Sequence, residues 1–137
     1  MSQHRWIIRP LAAFPAILLL AIAGPAQAVD WSKAQTVTVV TVEYAFQPSS
    51  LSFKRGRVYR LHLENRGKET HEFTAPDFFK AITMRNPGLT GPDHVEIVLQ
   101  PGGTQNLYFV ADQPGKYDLR CADHDWAGMT GDITILP

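Results

Sequence analysis

Cysteine is nearly absent from this chain: its 137 residues hold one, Cys121, beside five histidines and three methionines. A single cysteine excludes an internal disulfide framework. In an exported protein such a thiol is left with an intermolecular bridge or a chemical task. An excess of one charge is missing too. Basic and acidic residues number 13 each, and a chain without a basic surplus lacks the surface that nucleic-acid phosphates require. Uninterrupted apolar runs of about 20 residues, the length of a bilayer span, do not occur. Internal repeats and low-complexity tracts are also lacking.

What is present begins with an export pattern. His4, Arg5 and Arg9 make a basic start, Leu11 to Ala23 is an apolar stretch broken by Pro15, and Ala26-Gln27-Ala28 is a small-x-small cleavage site. Residues 1–28 therefore read as a signal peptide cleaved after Ala28, which places the mature chain in the periplasm. The remainder, 29–137, is 109 residues long. That is near the commonest size of one domain, expected here as a monomer. It carries 11 basic and 13 acidic residues, a balance of −2.

The mature chain reads as strands. Thr36 to Glu43 is rich in β-branched residues. Residues 44–56 space apolar positions around Pro48 and close on Gly56, as an edge strand or bend does before a turn. From Arg57 to Glu64 the pattern alternates, with Tyr59, Leu61 and Leu63 on one face and Arg60, His62 and Glu64 on the other. Thr70 to Thr74, His94 to Leu99, Thr104 to Val110, Lys116 to Cys121 and Gly131 to Leu136 complete the set. Asp77 to Met84, after Pro76, reads as a short helix of about two turns. About seven short strands punctuated by Gly and Pro indicate an all-β sandwich or barrel.

The chemistry gathers in Cys121-Ala-Asp-His124-Asp-Trp-Ala-Gly-Met129. Thiolate, imidazole and thioether are donors that favour copper, and two histidines with one cysteine and a weak axial methionine make an electron-transfer copper site. The loop between the last two strands supplies three of these. A second histidine must come from elsewhere. His62 and His94 sit on the solvent faces of alternating strands, whereas His71 follows an interstrand loop and is the expected fourth ligand. Met84 is the weaker axial candidate, because it falls in the expected helix. Zinc prefers four strong donors, among which a thioether does not rank. A Cys121/His71 nucleophilic pair lacks a recognisable orienting third residue, so an enzyme is not expected.

The Cys-x-x-His-x-x-x-x-Met spacing, the upstream His71, and Phe46-x-Pro48-x-x-Leu51-x-Phe53-x-x-Gly56 with its following alternating strand resemble the cupredoxins. This is the blue copper family that includes plastocyanin and pseudoazurin. The resemblance implies a Greek-key β-sandwich with one short helix, one copper ion per chain at one end, and His124 as the ligand nearest the surface. Plastocyanin and pseudoazurin have asparagine after the first histidine, tying the ligand loops together, where this chain has Glu72. His71-Glu72-Phe73 with Pro76-Asp-Phe-Phe79 is similar instead to bacterial periplasmic cupredoxins, some associated with copper tolerance. Hydrogen bonding around the site and a solvated strand-edge carboxylate are both open roles for Glu72.

Two functions follow from the resemblance. One is a one-electron carrier through His71, Cys121, His124 and Met129, passing electrons by way of His124 beside Trp126, Ala127 and Gly128. Asp123 and Asp125 would steer a basic redox partner such as a c-type cytochrome. The other is a copper-binding protein that sequesters the metal, or hands it to copper-handling proteins, in copper tolerance.

Overall fold

The computed structural model describes residues 27–137. The expected signal peptide lies outside the described residues, apart from Gln27 and Ala28, which are exposed. Ten strands form two five-stranded sheets, the first in the order β2-β1-β4-β8-β6 and the second β3-β10-β9-β5-β7. Their ranges are β1 Gln35–Val42, β2 Ala45–Gln47, β3 Ser50–Lys54, β4 Val58–Asn65, β5 His71–Thr74, β6 Ile82–Met84, β7 Glu96–Leu99, β8 Thr104–Ala111, β9 Gly115–Arg120 and β10 Thr130–Leu136. The expected Greek-key β-sandwich is the fold. The chain crosses from one sheet to the other at most of its connections, because β3, β5 and β7 belong to one layer and β4, β6 and β8 to the other.

Alternation in β4 turns directly into layering. Tyr59, Leu61, Leu63 and Asn65 are buried while Val58, Arg60, His62 and Glu64 are half-buried, as a period of two requires of a strand with one face on the core. β4 is central, parallel to β1 and antiparallel to β8. Between the sheets, Phe53 packs edge-on to Tyr59 and Phe109, with ring centroids at 4.9 and 5.1 Å. Such aromatic pairs add to the stabilisation that their burial supplies. Gly131 lets β10 approach the bend before β3, since a Cβ there would collide with the Ser49 carbonyl.

The structure shortens the expected helix. Helix α1 covers Pro76–Lys80 only, and Ile82–Met84 pairs with β8 instead, Ile82 opposite Ala111 and Met84 opposite Phe109. The Ala81 carbonyl, which would continue the helix, accepts from the Asp112 and Gln113 amides. Long-range pairing wins over local pattern in this short segment. The segment read as an edge strand or bend holds two edge strands: β2 pairs with β1, and β3 with β10 in the opposite sheet. Near the N-terminus Arg85 lies between the Trp31 and Tyr108 rings, 5.9 and 5.5 Å from their centroids, a cation–π clamp on the lead-in segment. Among the described residues no helix is long and apolar enough to cross a membrane.

Candidate metal centre

Two segments build the site. The first is β5, whose four residues are all buried, with His71 opposite Leu99 of β7 and Thr74 opposite Arg120 of β9. The second is the β9–β10 connection, which folds back on itself. The His124 amide donates to the Cys121 carbonyl at 3.2 Å, the Met129 amide to the His124 carbonyl at 3.3 Å, and the Cys121 amide to the Met129 carbonyl at 3.0 Å. Gly128 turns the chain at φ 85°, a left-handed conformation that glycine adopts without steric cost. Residues 121 and 129 are thus brought side by side, with both side chains fully buried.

His71 Nδ1 lies 3.9 Å from Cys121 Sγ, and His124 Nδ1 lies 3.4 Å from it. One donor atom from each of the three residues falls within 4.8 Å of the others. The histidines set aside on strand pattern lie elsewhere. His62 is held by Asn106 and Glu64 on β4, and His94 by Thr90 in the turn before β7. Met84 is in β6, its sulfur against Thr90.

Electrostatics suit a metal that takes neutral imidazoles and displaces a thiol proton. Burial, then the neighbouring His124, pushes the His71 pKa down. Burial, then the Glu72 carboxylate, pushes the Cys121 thiol up to about 11, so in the metal-free protein it carries its proton at neutral pH. That proton points at Glu72 Oε2, 3.0 Å from the sulfur. The Glu72 amide in turn donates to Sγ at 3.4 Å.

Of the two roles open for Glu72, the solvated carboxylate is ruled out, because the residue is 6% exposed. Its Oε2 also accepts the Asp123 amide at 3.3 Å. Glu72 therefore joins β5 to the 121–129 loop.

A layer around the imidazoles was not legible beforehand. His124 Nε2 meets Glu69 Oε2 at 2.8 Å, and the Tyr44 ring lies over the His124 ring with centroids 4.9 Å apart. Trp126, 77% exposed, is 6.1 Å from Tyr44 and donates through Nε1 to the Asp123 carbonyl at 2.8 Å. Of the two imidazoles His124 is the nearer to solvent, yet its side chain is only 12% exposed. Beyond the His71 ring stand Gly67 and Glu43. Glu43 Oε1 is 3.9 Å from His71 Nε2 and accepts the Lys68 and Glu69 amides. Those amides hold the Glu43 carboxyl below its usual pKa. Asp125 is paired with Arg120 at 2.8 Å. Tyr44 and Glu43 are some 30 to 80 positions from the ligands they surround, and no local signal marks them.

The cupredoxin-like domain model matches residues 12–135. No curated protein sequence matches significantly. Among solved structures, auracyanin B is 26% identical, with 80% of this chain and 94% of that one aligned at a TM-score of 0.58. Auracyanin A of Chloroflexus aurantiacus, described as a "blue" copper protein, is 15% identical over 75% of this chain and 99% of its own, with a TM-score of 0.55. The metal-binding domain of the Cu(I)-exporting P-type ATPase of Streptococcus pneumoniae, solved with Cu(I), shares the fold at 11% identity, covering 80% of this chain and 92% of that one at a TM-score of 0.51.

Proposed function

This chain belongs to the cupredoxin-like family, and from that premise we propose that it is a type 1 copper protein acting as a one-electron carrier in the periplasm. One copper ion per chain would be held by His71 through Nδ1, Cys121 through Sγ, His124 through Nδ1 and Met129 through its thioether. The carrying observation is the convergence of both Nδ1 atoms on one buried cysteine sulfur, at 3.9 and 3.4 Å. Two nitrogens and a soft sulfur in a buried pocket are the donor set that copper selects. The likeness to auracyanin B supports the same assignment.

Bound copper would supply the Cu(II)/Cu(I) couple; the chain supplies a frame. β5 fixes His71 by its ladder to β7, and the self-closed loop fixes Cys121 relative to Met129. A frame of this kind holds its donors in place through a change of oxidation state. The Glu72 amide donates to the sulfur, and such a hydrogen bond tunes the potential of the metal it ligates. Four protein donors would leave a bound ion no position for a substrate, which supports a carrier over an enzyme. Electrons enter and leave on the His124 side, where the exposed Trp126 and the acidic Asp123 suit transient docking of a basic redox protein such as a c-type cytochrome. The mature chain is the domain 29–137, released by cleavage after Ala28.

The test is optical. Cu(II) added to the purified protein gives an intense thiolate-to-copper absorption that Cys121→Ser and His71→Ala both abolish. A colourless protein that binds zinc tightly instead would overturn the assignment.

A further inference from the structure

The two imidazoles that face Cys121 differ at their outer nitrogens. His71 Nε2 is buried without a hydrogen-bond partner. His124 Nε2 lies 2.8 Å from Glu69 Oε2, an ion-pair contact. The other oxygen of that carboxylate, Oε1, lies 3.4 Å from the Tyr44 hydroxyl, whose ring covers the imidazole face at an angle of 36°. Glu69 is itself fixed through its backbone. Its carbonyl accepts from Asn65 Nδ2 at 2.7 Å, and its amide donates to Glu43 Oε1 at 3.1 Å. Asn65 is buried and reaches the Leu99 carbonyl as well, at 2.8 Å. The carboxylate is thus presented from a braced loop, two residues before His71.

A carboxylate only accepts, so the 2.8 Å contact favours the tautomer of His124 that carries its proton on Nε2. In the neutral ring the lone pair is then on Nδ1, the atom that faces Cys121 Sγ. Partners of this kind fix both tautomer and ring direction in metal-binding histidines. We propose that Glu69 is the positioning residue of His124: from the loop that leads into β5 it grips the imidazole of the β9–β10 loop and keeps Nδ1 turned toward the sulfur. Glu72 joins the same two loops through backbone and sulfur, while Glu69 joins them through the ring. The inference rests on the copper reading only for its consequence, which is that the grip retains the metal.

The experiment compares the purified wild type with Glu69→Ala and Glu69→Gln. In the metal-free protein the His124 Nε2–H gives a proton resonance protected from solvent exchange. Glu69→Ala loses that resonance and Glu69→Gln, which keeps an accepting oxygen, retains it. For Cu(II), Glu69→Ala lowers affinity roughly 10- to 100-fold, the range for loss of such a partner, and Glu69→Gln stays within about threefold of wild type, since a neutral acceptor keeps much of the bond. The proposal is overturned if the resonance survives in Glu69→Ala, if that variant binds Cu(II) as wild type does, or if Glu69→Gln is as impaired as Glu69→Ala. Failure of the wild type to give the thiolate absorption would sink the copper reading alone, because the Nε2–H resonance is read without metal.

Discussion

His71 lies on a strand buried along its whole length and paired residue by residue with β7, whereas His124 stands at the head of a short 3-10 turn in a loop whose neighbours Asp123 and Trp126 are exposed. Packing alone holds the first ring, and its outer nitrogen is left without a partner. A carboxylate and an aromatic ring hold the second. The difference shows that one site can obtain rigidity in two ways: from a sheet where the backbone is already fixed, and from side chains borrowed from a neighbouring loop where it is not.

The sharpest break of this contrast is to delete each ring. In the metal-free protein, His71→Ala should lower the unfolding free energy by about 2–4 kcal/mol, because it empties a closed space between the sheets. His124→Ala should cost less, about 1–2 kcal/mol, because this ring is covered mainly by side chains of a neighbouring loop. Urea unfolding of both variants measures the difference, and equal losses would remove the distinction between a packed and a gripped ligand.

Glycine gives a second comparison within the same two loops. At Gly67 an added Cβ would collide with the Glu43 carboxylate and come within 3.1 Å of His71 Nε2. Gly67→Ala should therefore destabilise by about 1–3 kcal/mol and displace the His71 ring resonances. Gly128 has open space around it, so Gly128→Ala should cost only about 1 kcal/mol, from its left-handed backbone. Thermal unfolding with imidazole NMR separates the two, and a Gly128 variant that unfolds earlier than the Gly67 variant reverses the ranking.

Protons distinguish the ligands as well. The Cys121 thiol, pushed up to about 11, is protonated below that pH and must lose its proton to bind metal. His71, with its pKa pushed down, is already neutral at pH 7 and has none to lose. Raising the pH removes the competitor for the sulfur, so Cu(II) affinity should increase, by about tenfold per unit between about pH 7 and 9. Calorimetry in buffers of different ionisation enthalpy should count about one proton released per ion. Release of two would mean that one of the two imidazoles is protonated in the empty site. The smallest effect is expected at the surface. Asp125 is already paired with Arg120, so only Asp123 is left of the acidic pair to steer a partner, and Asp123→Asn should slow electron transfer to a basic cytochrome by about twofold at low salt, with the difference vanishing at high salt. Rates that depend on neither salt nor Asp123 would exclude steering.

Much of this molecule was legible in the sequence where chemistry and periodicity are local. Alternation in β4 named Tyr59, Leu61 and Leu63 as its inner face, and they are buried. Strand pattern separated His71 from His62 and His94, and the structure brings His71, not the other two, to Cys121 and His124, although His94 lies in the turn before β7 and not on the strand that was expected to carry it. Where two patterns were compatible, the sequence misled. Ile82-Thr83-Met84 continues a helix as readily as it forms a strand, and only the distant β8 decides between them. The surroundings of the imidazoles were illegible for the same reason. Tyr44 meets a ring 80 residues away in the chain, and Glu72 was open to either of two roles until the fold set its carboxylate against Cys121 and the Asp123 amide.

The crossing of the chain between layers also bears on the order of events in time. His71 and Cys121 are 50 residues apart; β5 has both its sequence neighbours in the opposite sheet, while β9, which leads into Cys121, has β8 there and β10 beside it. Contacts of such separation form late and slowly, because distant segments must be brought together before any of them is rewarded. No fragment of the chain can therefore assemble the ligands ahead of the sandwich.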